Sequence, residues 1–147
     1  MFTPLSPDRR VERPGYVVVA IALEAFTAIG AIPVGWALLS DTTGGTVGLP
    51  RGWIEATPFG SYLIPGLYLL VMNGFGMLVA AGLSAQRHRS APWLTGVLGT
   101  GLATWIGVQL VVMPETSALQ VVFGGIGLVL MAVGVAWLRR TRQLRIW

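Results

Sequence analysis

Cysteine is absent from the 147 residues. That excludes disulfides, thiolate metal sites, cysteine nucleophiles and thioether haem attachment. Lysine is absent as well, so all ten basic residues are arginine. One histidine, His88, leaves zinc or haem ligation almost nothing to use. Charge is scarce: 11% of residues are charged, against about 25% in soluble domains. So few charges cannot cover a globule. No G-x-S-x-G, H-E-x-x-H or phosphate-loop signature occurs. No acid/base pair falls inside the apolar stretches, which argues against an enzyme, and no cofactor is expected.

What the chain has in abundance is apolar surface: 54% hydrophobic residues and a mean hydropathy of +0.70. Four long apolar segments run over residues 16–40, 59–85, 92–113 and 117–138. Each reaches the ~20 residues needed to cross a ~30 Å hydrocarbon core as a helix. Internal prolines (Pro33, Pro65) are tolerated because neighbouring membrane helices re-satisfy the freed backbone groups. The first segment is too long for a signal-peptide core of ~7–15 residues and lacks a small-x-small cleavage site before Asp41. The expectation is an all-α integral membrane protein, a four-transmembrane-helix bundle forming one domain over 1–147. With the lipid bilayer as its solvent, the pI near 10.7 does not imply nucleic acid.

The arginines have a simpler use. Arg9, Arg10 and Arg13 precede the first span, Arg87 and Arg89 join the second to the third, and Arg139, Arg140, Arg142 and Arg145 follow the fourth. Only Arg51 lies in the opposite loops. By the positive-inside rule this bias predicts both termini in the cytoplasm and a multi-pass protein of the cell inner (plasma) membrane. Asp8 and Glu12 read as tail charge. His88, between two arginines in a short loop, reads as solvated rather than catalytic. The stretch from Arg139 to Trp147 would hold anionic headgroups at roughly 1 kcal/mol per arginine; its simpler reading is the stop-transfer anchor that sets topology.

Residues 114–116 are too few for anything but a hairpin of adjacent helices. The outer loop 41–58 is longer. It opens on the turn-rich Asp41-Thr42-Thr43-Gly44-Gly45. Leu49, Trp53 and Ile54 then suit a short segment lying at the membrane interface: a loop resting on headgroups, a lid over the bundle or a partner surface.

Glu24 is the one charged residue inside the four spans, at a depth where ionisation costs roughly 2.5–3.5 kcal/mol on the most lenient scales. Drawn as a helix, span one gathers Ala20, Glu24, Thr27, Ala28, Ala31 and Gly35 on one stripe, with Val19, Phe26, Ile29 and Trp36 opposite. Small residues let helices approach closely in lipid, so the Glu24 stripe should face other helices. The same logic selects Gly66, Asn73, Gly76, Ala80 and Ser84 in span two, with Tyr62 at its outer end. It selects Gly96, Thr100, Ala103, Thr104 and Gly107 in span three, and Gln120, Gly124, Gly127 and Gly134 in span four. Counted along the helices, Glu24, Asn73 and Thr104 all fall near the midplane. They form the candidate intramembrane polar site. Two readings of Glu24 stand: a neutral acid that hydrogen-bonds helices together, or a site that exchanges a proton or cation.

Two resemblances bear on function. Ala31-Ile32-Pro33-Val34-Gly35, then Asp41, Gly44, Gly48-Leu49-Pro50 and Thr57-Pro58-Phe59, resembles a family of small bacterial four-span membrane proteins without an assigned activity. Ile64-Pro65-Gly66-Leu67 and Trp105-Ile106-Gly107-Val108-Gln109 fit the same pattern, which implies only a four-helix membrane fold. Ala20-Ile21-Ala22-Leu23-Glu24 and Ala103-Thr104-Trp105-Ile106-Gly107-Val108 are similar to pieces of the small multidrug resistance transporters, four-span dimers with a membrane glutamate in span one. That likeness implies substrate and proton coupling at Glu24. The 18-residue outer loop and the arginine bias, which favours one fixed orientation, depart from it. The expected function is a non-enzymatic structural, accessory or assembly role, with a homo-oligomer or a membrane protein as partner; the alternative is a small proton-coupled carrier built on Glu24.

Overall fold

The structure, a computed structural model, describes residues 13–143; Asp8, Arg9, Arg10, Glu12 and the segment 144–147 lie outside that range. Four helices are long and apolar enough to cross a membrane: α1 (Gly15–Ser40), α3 (Leu63–Ala85), α4 (Ala91–Val112) and α5 (Ala118–Gln143). A short α2 (Arg51–Glu55) lies in the connection between the first two. No strand occurs among the described residues. Even the shortest span, 22 residues, is about 33 Å long at ~1.5 Å per residue.

The spans alternate in direction, and each packs on its two neighbours. Against α1, α3 runs antiparallel: a Cβ built on Gly35 would lie 2.7 Å from Leu70 N, and one on Gly66 2.7 Å from Leu38 Cβ. Across α3 and α4, Tyr68 stacks on Trp105 with ring centroids 4.6 Å apart, and its hydroxyl donates to Gly101 O at 3.0 Å. The α4–α5 crossing is the tightest, backbone on backbone at Gly96–Gly134, Gly99–Met131 and Ala103–Gly127. Phe26 on Phe123 and Tyr16 on Trp137 close the ring between α1 and α5. Thus α1 and α4 stand on a diagonal.

The enclosed core is built from small and medium side chains: Ala20, Ala28, Met77, Ala80, Leu98, Leu102, Ile106, Ile126 and Leu130. Large apolar residues point outward instead, among them Phe26, Ile29, Trp36 and Val111. In water that exposure would drive association; facing acyl chains it costs nothing.

All six small-stripe residues expected to face inward from α1 are buried, and Val19, Phe26, Ile29 and Trp36 are exposed. In α4 the expected face is only partly right: Gly96 and Ala103 pack on α5. Thr100, Thr104 and Gly107 are exposed, and Pro92, Thr95, Leu98, Gly99, Leu102 and Ile106 are buried. Small residues occur on two sides of this helix, so size does not single out one face. Hydroxyls do not either, because Thr100 satisfies its own by donating to Gly96 O at 2.8 Å.

Two boundaries also differ. Span two begins at Leu63 rather than residue 59, since Pro58 and Gly60, the latter at φ +65°, turn the chain before it. Span four continues past 138 to Gln143, carrying Arg140 and Arg142 in its last turn, where cations complement the helix dipole. Within α3, Leu69–Gly76 widens into a π-helical segment that contains Asn73.

The outer connection is folded over the bundle end. Ile54 of α2 is buried with Leu38 and Tyr62, over an apolar cavity of about 70 Å³ that Trp53, Trp105 and Gln109 also line. Tyr62 ties it down, donating its hydroxyl to Pro50 O at 3.0 Å and its N–H to Thr42 O at 2.9 Å. Asp41 organises its start, accepting the Thr43 hydroxyl (2.6 Å) and N–H (3.0 Å) at one oxygen and the Thr46 N–H (3.0 Å) at the other. These bonds, the Thr43 hydroxyl foremost, hold its carboxyl down to about 2. A depressed carboxyl contributes stability above its ordinary value near 3.8 and loses it as pH falls through about 2. Asp41→Ala is therefore expected to make residues 41–47 protease-sensitive at pH 7. The parent loop should acquire that sensitivity only on acidification towards pH 2. Limited proteolysis of the two proteins across pH checks this.

Candidate functional site

Glu24 is fully enclosed, with 0% of its surface exposed. Its Oε1 accepts a hydrogen bond from Thr95 Oγ1 at 2.6 Å. Because α1 and α4 are diagonal partners, this bond crosses the bundle interior. Ser84 of α3, also fully buried, lies close enough to act on the same carboxyl. Glu24 Oε2 and Ser84 Oγ nevertheless form no hydrogen bond. Three helices therefore converge on one carboxyl.

The depth differs from the sequence expectation. Ser84 is next to the last residue of α3 and Thr95 is in the second turn of α4. The cluster thus sits about a turn from the connection 86–90, towards the arginine-bearing end and away from the midplane. Counting along α1 alone misplaced it, because the level of the contact is set by where α3 ends and α4 begins. The glutamate side chain also leans towards the helix N-terminus.

Of the three residues expected to form the polar site, Glu24 and Asn73 are buried and Thr104 is exposed. Thr104 belongs to the exposed part of the expected α4 stripe. Asn73 faces the bundle, but at the level of Ile32, which its neighbour Gly74 approaches. That is eight residues from Glu24 along α1, or about 12 Å. Its Nδ2 has no partner. The structure brings neither Asn73 nor Thr104 to Glu24. Thr95 takes their place, and sequence reasoning missed it because Thr95 is not on the expected stripe of α4. Ser84 was on the expected stripe of α3. Its proximity to Glu24 follows once a short connection places the end of α3 beside the start of α4.

At the same end, a cleft of about 600 Å³ opens between the start of α1, the 86–90 connection and the last turns of α5. Arg87, His88, Arg89 and Arg142 line it together with Tyr16, Trp93 and Trp137. Arg140 lies over the Tyr16 ring at 5.2 Å. His88 is exposed, as expected of a loop histidine, and its Nδ1 accepts the Ser90 N–H at 3.2 Å. Glu24 does not line this cleft or the apolar cavity under α2.

No family model, no curated protein and no solved structure matches this chain. Chemically, the interior cluster offers one carboxyl and two hydroxyls, a set suited to hydrogen bonding or to holding a proton.

Proposed function

We propose that this chain is a non-enzymatic integral membrane protein with a structural or accessory role in a membrane assembly, in which Glu24 links helices. The observation that carries this reading is the complete enclosure of Glu24 combined with its bond to Thr95 across the bundle diagonal. A carrier would need its coupling carboxyl in a space that substrate can enter, and both clefts stop short of Glu24. The outward apolar belt suits contact with lipid, with a second copy or with another membrane protein.

An infrared titration of the Glu24 carboxyl between pH 5 and 9 tests the reading. No transition in that range is expected. A transition would favour the alternative, a small proton-coupled carrier, to which the unbonded Oε2 and Ser84 Oγ would be relevant.

We further propose that both termini face the cytoplasm, across a bacterial inner membrane. In support, Arg13, Arg87, Arg89, Arg139, Arg140 and Arg142 lie at one end of the bundle and Arg51 at the other. A reporter fused after Trp147 should be active in the cytoplasm and one inserted at Gly45 outside it. The reverse pattern would overturn the orientation.

A further inference from the structure

The apolar cavity beneath α2 carries one polar side chain that the fold leaves unused. Gln109 of α4 stands on its wall, and the side-chain amide has no hydrogen-bond partner among the described residues. The hydroxyls on the same wall are engaged, Thr57 donating to Ile54 O at 2.7 Å and Tyr62 to Pro50 O at 3.0 Å. Gln120, at the same end of the bundle, is engaged too. Its Oε1 accepts the Ser117 N–H at 2.9 Å and its Nε2 donates to Met113 Sδ at 3.4 Å. One turn before Gln109 on the same face of α4, Trp105 also lines the cavity, and its Nε1 is buried without a partner. Inside a membrane span no bulk water is at hand, so an unpaired amide is costly unless a guest pairs with it.

The opening shows where a guest comes from. Ile54 and Tyr62, 5% and 1% exposed, close the side towards the outer connection. Val108 and Val112 line the cavity and yet remain exposed on the outer surface of α4. The wall is therefore open towards hydrocarbon, and a guest arrives from the membrane. Its girth is limited: the space is about 70 Å³, whereas a cavity that holds benzene has about 150 Å³. A narrow chain fits better than a ring. No arginine, aspartate or glutamate lines the wall, so the matching acceptor is neutral, a carbonyl rather than a carboxylate. Gln109 is three residues before the end of α4, about 4.5 Å inside it. Ester carbonyls of acyl lipids lie at that depth, between the hydrocarbon and the headgroups.

We infer that this cavity holds the carbonyl-proximal part of one acyl chain of a membrane diacyl lipid, whose ester carbonyl accepts a hydrogen bond from Gln109 Nε2. A free fatty acid offers the same chain and is the competing source. The test uses the full chain in neutral detergent micelles, with melting followed while one of three probes is added. These are dioleoyl phosphatidylcholine, its diether analogue with the same chains but no ester carbonyl, and oleic acid. The diacyl lipid should raise the melting temperature saturably, reaching half its effect at about three- to tenfold lower concentration than the diether. Gln109→Leu breaks no bond of the fold, so it should melt near the parent temperature and respond equally to both lipids. Val108→Trp, which fills the opening, should lose the saturable response to either.

Equal potency of the ester and ether lipids on the parent would overturn the carbonyl contact and the site with it. A preference for the ester that survives Gln109→Leu would overturn Gln109 as its donor. A parent-like response in Val108→Trp would overturn the cavity as the seat of the chain. Matching stabilisation by oleic acid would overturn the diacyl lipid as occupant. Should Gln109→Leu fail to fold, Gln109→Met repeats the comparison, and the ester-against-ether difference on the parent decides without any variant.

Discussion

Gly134→Leu is expected to abolish the folded bundle. A Cβ at Gly134 would stand 2.5 Å from both Cα and N of Gly96 and 2.9 Å from Pro92 O. All three are backbone atoms of α4, so no side chain can swing aside. The two helices would have to separate, and this crossing also holds Gly99 against Met131 and Gly127 against Ala103. Overpacking of an ordinary core costs about 1–3 kcal/mol. With backbone on both sides, the cost here should be about 3 kcal/mol or more, enough to unfold a marginal protein. Gly107→Leu provides the contrast. Gly107 has nothing within 4 Å of its built Cβ, so leucine there should shift stability by no more than about 0.5 kcal/mol. Unfolding of both variants in micelles, read by tryptophan fluorescence, checks the pair. Equal tolerance would mean that the α4–α5 crossing is misplaced.

Glu24→Leu is expected to be the next most damaging substitution, and Glu24→Gln nearly silent. Leucine removes the acceptor of Thr95 Oγ1 and leaves that buried hydroxyl unpaired, beside Ser84 whose hydroxyl already lacks a bond. Each buried polar group left unpaired costs about 1–3 kcal/mol, although interhelical bonds in membranes average only about 0.6 kcal/mol. A loss of about 1–2 kcal/mol is the expected outcome. Glutamine retains an acceptor for Thr95 and places an amide N–H where it can reach Ser84 Oγ, so stability should stay within about 0.5 kcal/mol of the parent. Melting temperature and yield of folded protein measure both. If glutamine preserves the fold but abolishes a cellular phenotype that loss of the gene produces, a purely linking role for Glu24 is excluded.

The α1 face was legible because one pattern served two purposes. Ala20, Thr27, Ala28, Ala31 and Gly35 repeat at helical spacing around Glu24, and close packing and burial of the carboxyl both call for that side. In α4 the requirements separate. Gly96, Gly99 and Ala103 meet α5, Leu98, Leu102 and Ile106 fill the core, and Thr100 needs no interior partner. Reading small and polar residues as inward therefore turned α4 partly to the wrong side and paired Glu24 with Thr104.

Composition and hydropathy by themselves determined that this chain crosses a membrane four times as helices. In hydrocarbon every backbone polar group must be paired within the segment, and twenty apolar residues are the shortest way to do so. They also determined that Glu24 faces inward, because the alternative is a carboxyl in lipid. Which hydroxyl meets that carboxyl, and how far from the midplane, was decided only by the tertiary structure. The axial offset and rotation of one helix against another are set by where glycine permits backbone contact at Gly96, Gly99, Gly127 and Gly134. Those contacts exist only between helices, and no periodicity within one helix encodes them.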